Sequence, residues 1–508
     1  NDLRRTQTGY VYIANLLTAI AQGTFNFVDP SANTQQQIDF VSPDNINEAS
    51  SDLYAVQASV GRSLFELPGG PLQFGFGGQI RYEAVDAPSG NPDYNGPTQR
   101  FFTLNAFGTS GNRTVYSAFA EVNAPILDIL ELNASGRYDS YSSGQDAFSP
   151  KIGAKFTPIP QIALRATWSK GFRIPSFGEA NALPTTGFVA TASGNFTDAF
   201  LAQYGCTVAT YSSCPAYVRN NSYGQTTLAS PDLEPEKSRS ITLGAILNPI
   251  RNFTFTVDYF DIKKTGAITA PSNAPALQAY YSCTLAQVNS GTCDIPEGYN
   301  VIPGAPDVTR PNALPVAGFI EAQLVNANTV RVRGLDFAAL LRLEFGDISF
   351  TSSAEASRIL ELSTTFPDGS EERYEGTLGN FNLTAGSGTP KWHGSWQNTV
   401  GYDRYSLTAT ANFFGGYDLS AEDQGTEQGD CGLNPGFVPC RVDDYITLDL
   451  VGSVDVTDNF TFYVNVLNAL NDLPPVDPVT YGAVRYNPVQ GGTGIFGRQF
   501  RAGIKANF

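Results

Sequence analysis

The 508-residue chain contains no methionine, one histidine and three tryptophans, and its 31 lysines and arginines are outnumbered by 48 aspartates and glutamates. Each scarcity removes a class of function. A formal net charge of −17 leaves no basic stripe to neutralise phosphates, so nucleic acid is not expected as a partner. With His393 as the one histidine, a Ser-His-Asp triad has a single possible base, and no strained nucleophile turn accompanies it. No glycine-rich phosphate loop follows a strand and opens a helix, and acidic pairs such as Glu371-Glu372 and Asp443-Asp444 lack the spacing of a cation loop. The sequence therefore points to no enzyme, resident cofactor or metal centre. Long apolar runs are missing too. Nothing approaches the roughly 18 residues a membrane helix needs, the nearest being Leu16 to Ala21. A helical membrane protein is excluded, whereas a transmembrane β-barrel, which hides its apolar surface by alternation, is not. Without methionine or an apolar leader, Asn1 is not expected to begin an open reading frame.

What the chain does have is strict two-residue alternation. Leu72, Phe74, Phe76, Ile80 and Tyr82 share one parity, while Gln73, Gln79, Arg81 and Glu83 share the other. The split recurs as Leu130, Leu132, Ala134 and Tyr138 against Glu131, Asn133, Arg137 and Asp139, and it is still present at Phe500, Ile504 and Phe508 against Arg501 and Lys505. About fifteen such segments run from Ser51 onward, each long enough to cross a bilayer when tilted, and one more strand within the first ten or so residues makes about sixteen. Short turns, such as Pro68 to Pro71 and Asp403-Arg404, alternate with long connections, such as Phe172 to Pro235 and Thr265 to Thr329. That asymmetry predicts an all-β, antiparallel transmembrane barrel with periplasmic turns and extracellular loops, in contact with outer-membrane lipid. Residues Gly9 to Asn47 form an outer loop with a short helix near Leu16 to Gln22. A soluble propeller would show a blade repeat, which is absent. Tyr82, Tyr138, Trp168, Trp392, Trp396 and Tyr402 fall on the outward parity as belt or lipid-facing aromatics.

Six cysteines form three near neighbours, Cys206 with Cys214, Cys283 with Cys293 and Cys431 with Cys440, each inside a predicted outer loop. They read as local disulfides of an oxidising compartment; the spacing and the single histidine disfavour zinc.

Several motifs resemble TonB-dependent receptors of the bacterial outer membrane. The run from Trp168 through Arg173, Pro175 and Phe177 to Glu179 resembles their strand-to-loop signature, and Leu233-Glu234-Pro235-Glu236-Lys237-Ser238 their next strand. Val257 to Ile262, Arg333 to Asp336 and Phe462 to Asp472 are similar to later barrel strands of that family, in the right order. The terminal strand Phe500 to Phe508 is similar to the signal read by the barrel-assembly machinery. The resemblance spans essentially the whole chain and implies roughly 15 to 16 strands of a 22-stranded barrel. It implies that an N-terminal plug and the first strands lie elsewhere, on a missing part of the same polypeptide or as a separate chain. It also implies active uptake of a scarce small solute, such as a siderophore, cobalamin, a glycan or a peptide, with energy delivered by TonB-ExbB-ExbD through the plug. A passive porin, or a surface receptor or adhesin without transport, is the alternative.

On the polar parity, Arg81, Arg137, Arg165, Lys151, Lys155 and His393 are expected to line the lumen, with Arg342, Arg501 and Lys505. They either pair with carboxylates such as Glu83, Glu131, Asp139 and Glu344, hold a plug, or attract an anionic ligand. In the long loops Tyr211, Tyr217, Tyr280, Tyr281 and Phe437 lie near the cysteines. Tyrosine suits ligand capture at low entropic cost, and packing between loops accounts for the same residues equally well.

Overall fold

The computed structural model describes residues 1–91, 98–102, 104, 108–191, 193–377, 389–418, 441–477, 486–487 and 491–506. Along the chain the strands are β1 (Asp2–Gln7), β2 (Asn45–Leu67), β3 (Gly70–Ala87), β4 (Thr109–Leu127), β5 (Leu130–Tyr141), β6 (Asp146–Ile159), β7 (Ile162–Arg173), β8 (Thr185–Ala190), β9 (Ser222–Leu228), β10 (Glu236–Ile250), β11 (Phe253–Thr269) and β12 (Tyr299–Pro303). They continue as β13 (Ala317–Gln323), β14 (Val325–Phe345), β15 (Ile348–Thr365), β16 (Glu371–Arg373), β17 (Trp392–Tyr402), β18 (Tyr405–Phe414), β19 (Tyr417–Asp418), β20 (Arg441–Val442), β21 (Tyr445–Thr457), β22 (Phe460–Leu467) and β23 (Gln499–Ala506).

Seventeen of these make one antiparallel sheet. Its ladder runs β1 to β7, then β10, β11, β14, β15, β17, β18, β21, β22 and β23, with β16 a short addition to β15. No helix of the described residues is long and apolar enough to cross a membrane. The expected strand near the start is present as β1, and the loop after it carries two helices, α1 (Ile13–Gln22) and α2 (Gln35–Val41), rather than one. Thr34 and Gln37 close the start of α2 as a reciprocal capping box, a signal the alternation search did not weigh.

Alternation becomes sidedness through the register. Leu164, Ala245, Val257, Leu335 and their directly opposed neighbours share one face, and the large apolar side chains there remain exposed, Leu243 by 51% and Ile504 by 70%. The opposite face carries Arg165, Thr242, Asp258 and Asp336. This is the reverse of a soluble sandwich and what a wall between lipid and an aqueous lumen requires. Two-residue turns at one rim, among them Asp403-Arg404 with Asp403 at φ 50°, oppose the long connections at the other.

Among the described residues the ladder does not close. From Asp52 to Glu66, β2 pairs with β3 on one side alone, and every residue of that stretch is exposed. At the other end β23 pairs with β22 alone. The backbone donors and acceptors along these two edges are unmatched within the described ladder.

Candidate functional site

Two of the long connections, 174–235 and 270–324, fold together into a lobe on the outer rim. Its sheet has the order β8, β9, β13, β12, with β9 and β13 parallel. Helices α3 (Phe177–Asn181), α4 (Asp198–Ala202), α5 (Ala216–Arg219), α6 (Ala274–Ser282) and α7 (Leu285–Ser290) belong to the same two connections. The lobe core holds Phe196, Phe200, Tyr204, Tyr280, Tyr281 and Ile320. Cys206–Cys214 and Cys283–Cys293 are disulfides with S–S distances of 2.04 and 2.07 Å. Cys431, Cys440 and Phe437 lie outside the described residues, as does Phe508.

The lobe buries two of the tyrosines expected to capture ligand, Tyr280 and Tyr281, and packs the other two, Tyr211 and Tyr217, against the same core. Tyr280 and Tyr281 are each 1% exposed, so neither can meet a solute. Tyr280 donates its hydroxyl to the Pro315 carbonyl, and Tyr281 accepts from the Ala317 amide. Tyr211 and Tyr217 pack half-buried against the same core, Tyr217 donating to Ala305. A phenol buried among rings must satisfy its hydroxyl, and lobe backbone does so, from the same connection for Tyr280 and Tyr281 and from the other one for Tyr217. Burial pushes the Tyr204, Tyr280 and Tyr281 hydroxyls well above their ordinary pKa, with neighbouring phenols adding to it.

Below the lobe, the two signature motifs meet at Arg173. Its guanidinium grips Glu179 through two 2.8 Å hydrogen bonds and reaches Glu236 at 2.7 Å, while Lys264 approaches Glu236 at 3.4 Å. Glu179 also closes a capping box with Ser176 at the start of α3. Burial opposes its charge, but hydrogen bonds from Arg173 and Ser176 prevail and its pKa is lowered. Arg113 donates to the Pro175 carbonyl at 2.8 Å and lies over the Phe177 ring, pinning the same segment to the wall. Pro175 and Glu236 thus belong to a braced mouth.

Deeper on the inward face, Arg81 and Arg113 flank Glu83, and Arg137 holds Asp139 at 2.9 Å while donating to Ser117 and Gln79. Arg165 reaches Asp258 over β10, where both stand opposite Gly244; a Cβ at Gly244 would strike the Asp258 carboxylate and the Arg165 side chain. Of the expected lining residues, Arg81, Arg137 and Arg165 are therefore paired with carboxylates. Two of those partners, Glu83 and Asp139, were anticipated and Asp258 was not. Lys151, Lys155 and His393 sit on the inward parity with no ion pair among the described residues. No group of three metal-ligating side chains occurs among the described residues.

Against known proteins, the family profile "TonB dependent receptor-like, beta-barrel" matches residues 1–469. No curated protein matches by sequence. Among solved structures, the chain is similar to the siderophore receptor PirA from Acinetobacter baumannii, at 12% identity, with a TM-score of 0.59, over 100% of this chain and 59% of that one. It is similar to the ferric enterobactin receptor PfeA from Pseudomonas aeruginosa, at 14% identity, with a TM-score of 0.59, over 100% of this chain and 59% of that one. A third likeness is the Serratia marcescens hemophore receptor HasR, at 16% identity, with a TM-score of 0.52, over 92% of this chain and 61% of that one. The chain thus spans about three-fifths of the length of these structures.

Proposed function

Because this chain belongs to the TonB-dependent receptor family, whose β-barrel it supplies to the outer membrane, we propose that it forms most of the wall of an active transporter for a scarce solute. The observation that carries this reading is the inward face. Paired charges from Arg81 to Arg173 run from the wall to a mouth braced at Arg173, Glu179 and Glu236. Pairing of Arg81, Arg137 and Arg165 with carboxylates lowers the local field along this polar path, which suits a plug that must move and a solute that must pass. The two unmatched edges, on β2 and β23, support further strands that complete the wall, contributed with the plug by the rest of the receptor polypeptide or by a companion chain. TonB-ExbB-ExbD would act through that plug. Similarity to siderophore and hemophore receptors favours an iron chelate as the first solute class to try, before cobalamin, glycans and peptides.

Uptake of labelled ferric chelates by cells with and without the gene for this chain, in TonB-intact and TonB-deficient backgrounds, tests the proposal. Accumulation that needs both the gene and TonB is expected. Gene-dependent, TonB-independent entry would mean a passive pore, and unchanged accumulation of every solute class would leave a surface receptor.

A further inference from the structure

The lobe sheet has two faces of different character. One packs Tyr223 and Ile320 into the core. On the other, the register sets Phe188 of β8 opposite Gly224 of β9, Gly224 beside Phe319 of β13, and Phe319 opposite Ile302 of β12, a single row across all four strands. Phe188 is 69% exposed, and Phe319 and Ile302 are exposed with it. The two rings meet edge to face with centroids 5.9 Å apart. Gly224 lets Phe319 lean across β9, since a Cβ there would strike the ring. Large apolar side chains gathered in the open, on a lobe that otherwise buries them, mark a contact surface.

A polar row stands on the same face, two residues along each strand and so about 7 Å away. It comprises Thr186, Thr226, Glu321 and Asn300, again in direct register. Asn300 donates its side-chain amide to Glu321 at 2.8 Å, and the Thr186 and Thr226 hydroxyls share a 2.8 Å hydrogen bond. The second carboxylate oxygen of Glu321 and the side-chain carbonyl of Asn300 have no protein partner among the described residues. Within these two rows Glu321 is the one charge, and no cation is present to draw an anion. Four short strands at about 4.8 Å spacing give a face of roughly 400 Å², half of the area that each partner of a stable protein interface buries.

We propose that this face of the lobe sheet binds a neutral glycan, one sugar ring lying against Phe319 and Phe188 while hydroxyls of that ring or the next reach Glu321 and Asn300. A pyranose carries both halves of this chemistry. Its C–H face, polarised by the ring oxygens, meets the negative face of an aromatic ring, and its hydroxyls donate to a carboxylate and to an amide carbonyl. The area is too small for a folded partner or a second copy of the chain, and the lack of a cation disfavours a ligand bearing carboxylates or phosphates. The inference rests on the lobe's own surface and not on which solute the lumen carries.

The test is an array of immobilised oligosaccharides, neutral ones built from hexose, pentose and N-acetylhexosamine units beside sulfated and uronic-acid ones. It is probed with the protein extracted from outer membranes in non-ionic detergent, with any companion chain. Retention on at least one neutral class is expected, and saturation-transfer NMR on that oligosaccharide should place the strongest signal on carbon-bound ring protons. Phe319→Ala and Glu321→Gln should each weaken binding about tenfold or more, while Phe319→Tyr keeps it. Lys151→Ala/Lys155→Ala, on the lumen face of the wall, should leave it unchanged. No retained neutral glycan, binding undiminished by Phe319→Ala and Glu321→Gln, or preference for the acidic glycans would each overturn the site. Retention of the unstructured polypeptide β-casein in place of every glycan would overturn it too, and would assign the surface to strand addition at the β8 edge. Resistance of the lobe to limited proteolysis identifies variants that have kept their fold. Because binding is read on purified protein, it stands or falls apart from TonB-dependent uptake.

Discussion

The wall and the lobe are built by opposite rules from one chain. In the wall, large apolar residues point outward and stay exposed, Phe500 by 70%, while charged residues such as Asp139 and Glu236 are buried on the inner face. In the lobe, Tyr281, Leu277 and Phe200 are buried, and two disulfides cross-link connections that belong to no long ladder. The wall therefore depends on lipid for its stability, and the lobe depends on its own core, as a soluble domain does.

That contrast can be broken most strongly inside the lobe. Tyr281→Ala removes a ring from the centre of the core and strands the Ala317 amide, a loss of about 3 to 5 kcal/mol. The lobe should open to limited proteolysis while the wall keeps its heat-modifiable mobility on gels. The same core should respond to alkali. With folded pKa values raised above the ordinary 10.0, the neutral phenols of Tyr204, Tyr280 and Tyr281 contribute stability fully below that pH, and this is lost as pH rises through their raised values. Tyrosinate absorbance should show a late-titrating class that merges with the rest after unfolding.

A smaller effect is expected in the wall. Leu243→Arg places a charge on the lipid face at a cost of about 2 to 4 kcal/mol near the midplane, whereas Thr242→Arg, one residue away and facing the lumen, should assemble normally. Folding in liposomes followed by gel shift separates the two. Replacing Cys206 and Cys214 together by serine should cost the lobe about 2 to 3 kcal/mol and leave the wall unaffected, read by protease sensitivity. Smallest is Arg165→Ala, since the pair with Asp258 is half exposed; below about 1 kcal/mol is expected in an unfolding titration.

The same contrast explains what could be read from the residues. Wall strands were legible because their rule is local: Leu164, Ala166 and Trp168 against Arg165 and Thr167 fix a face within five residues, wherever the neighbouring strand comes from. The lobe was not legible, because its contacts join distant segments. Tyr204 donates to the Leu314 carbonyl across 110 residues, and β9 pairs in parallel with β13, which no turn signal announces. Tyrosines near cysteines therefore read equally well as capture or as packing. Arg173, Glu179 and Glu236 stand in two separate motifs of the sequence, and only the strand register brings both carboxylates to the Arg173 guanidinium.

Single-cysteine scanning along β10, from Ser240 to Leu247, tests the central claim most directly. Each position is labelled in liposomes with a fluorophore and quenched by a lipid-phase or a water-phase quencher, against the background of the parent protein. The account predicts strict alternation, with Ile241, Leu243, Ala245 and Leu247 seen from lipid and Ser240, Thr242, Gly244 and Ile246 from water. Water-phase quenching at both parities would contradict it, because β10 would then not be a membrane wall.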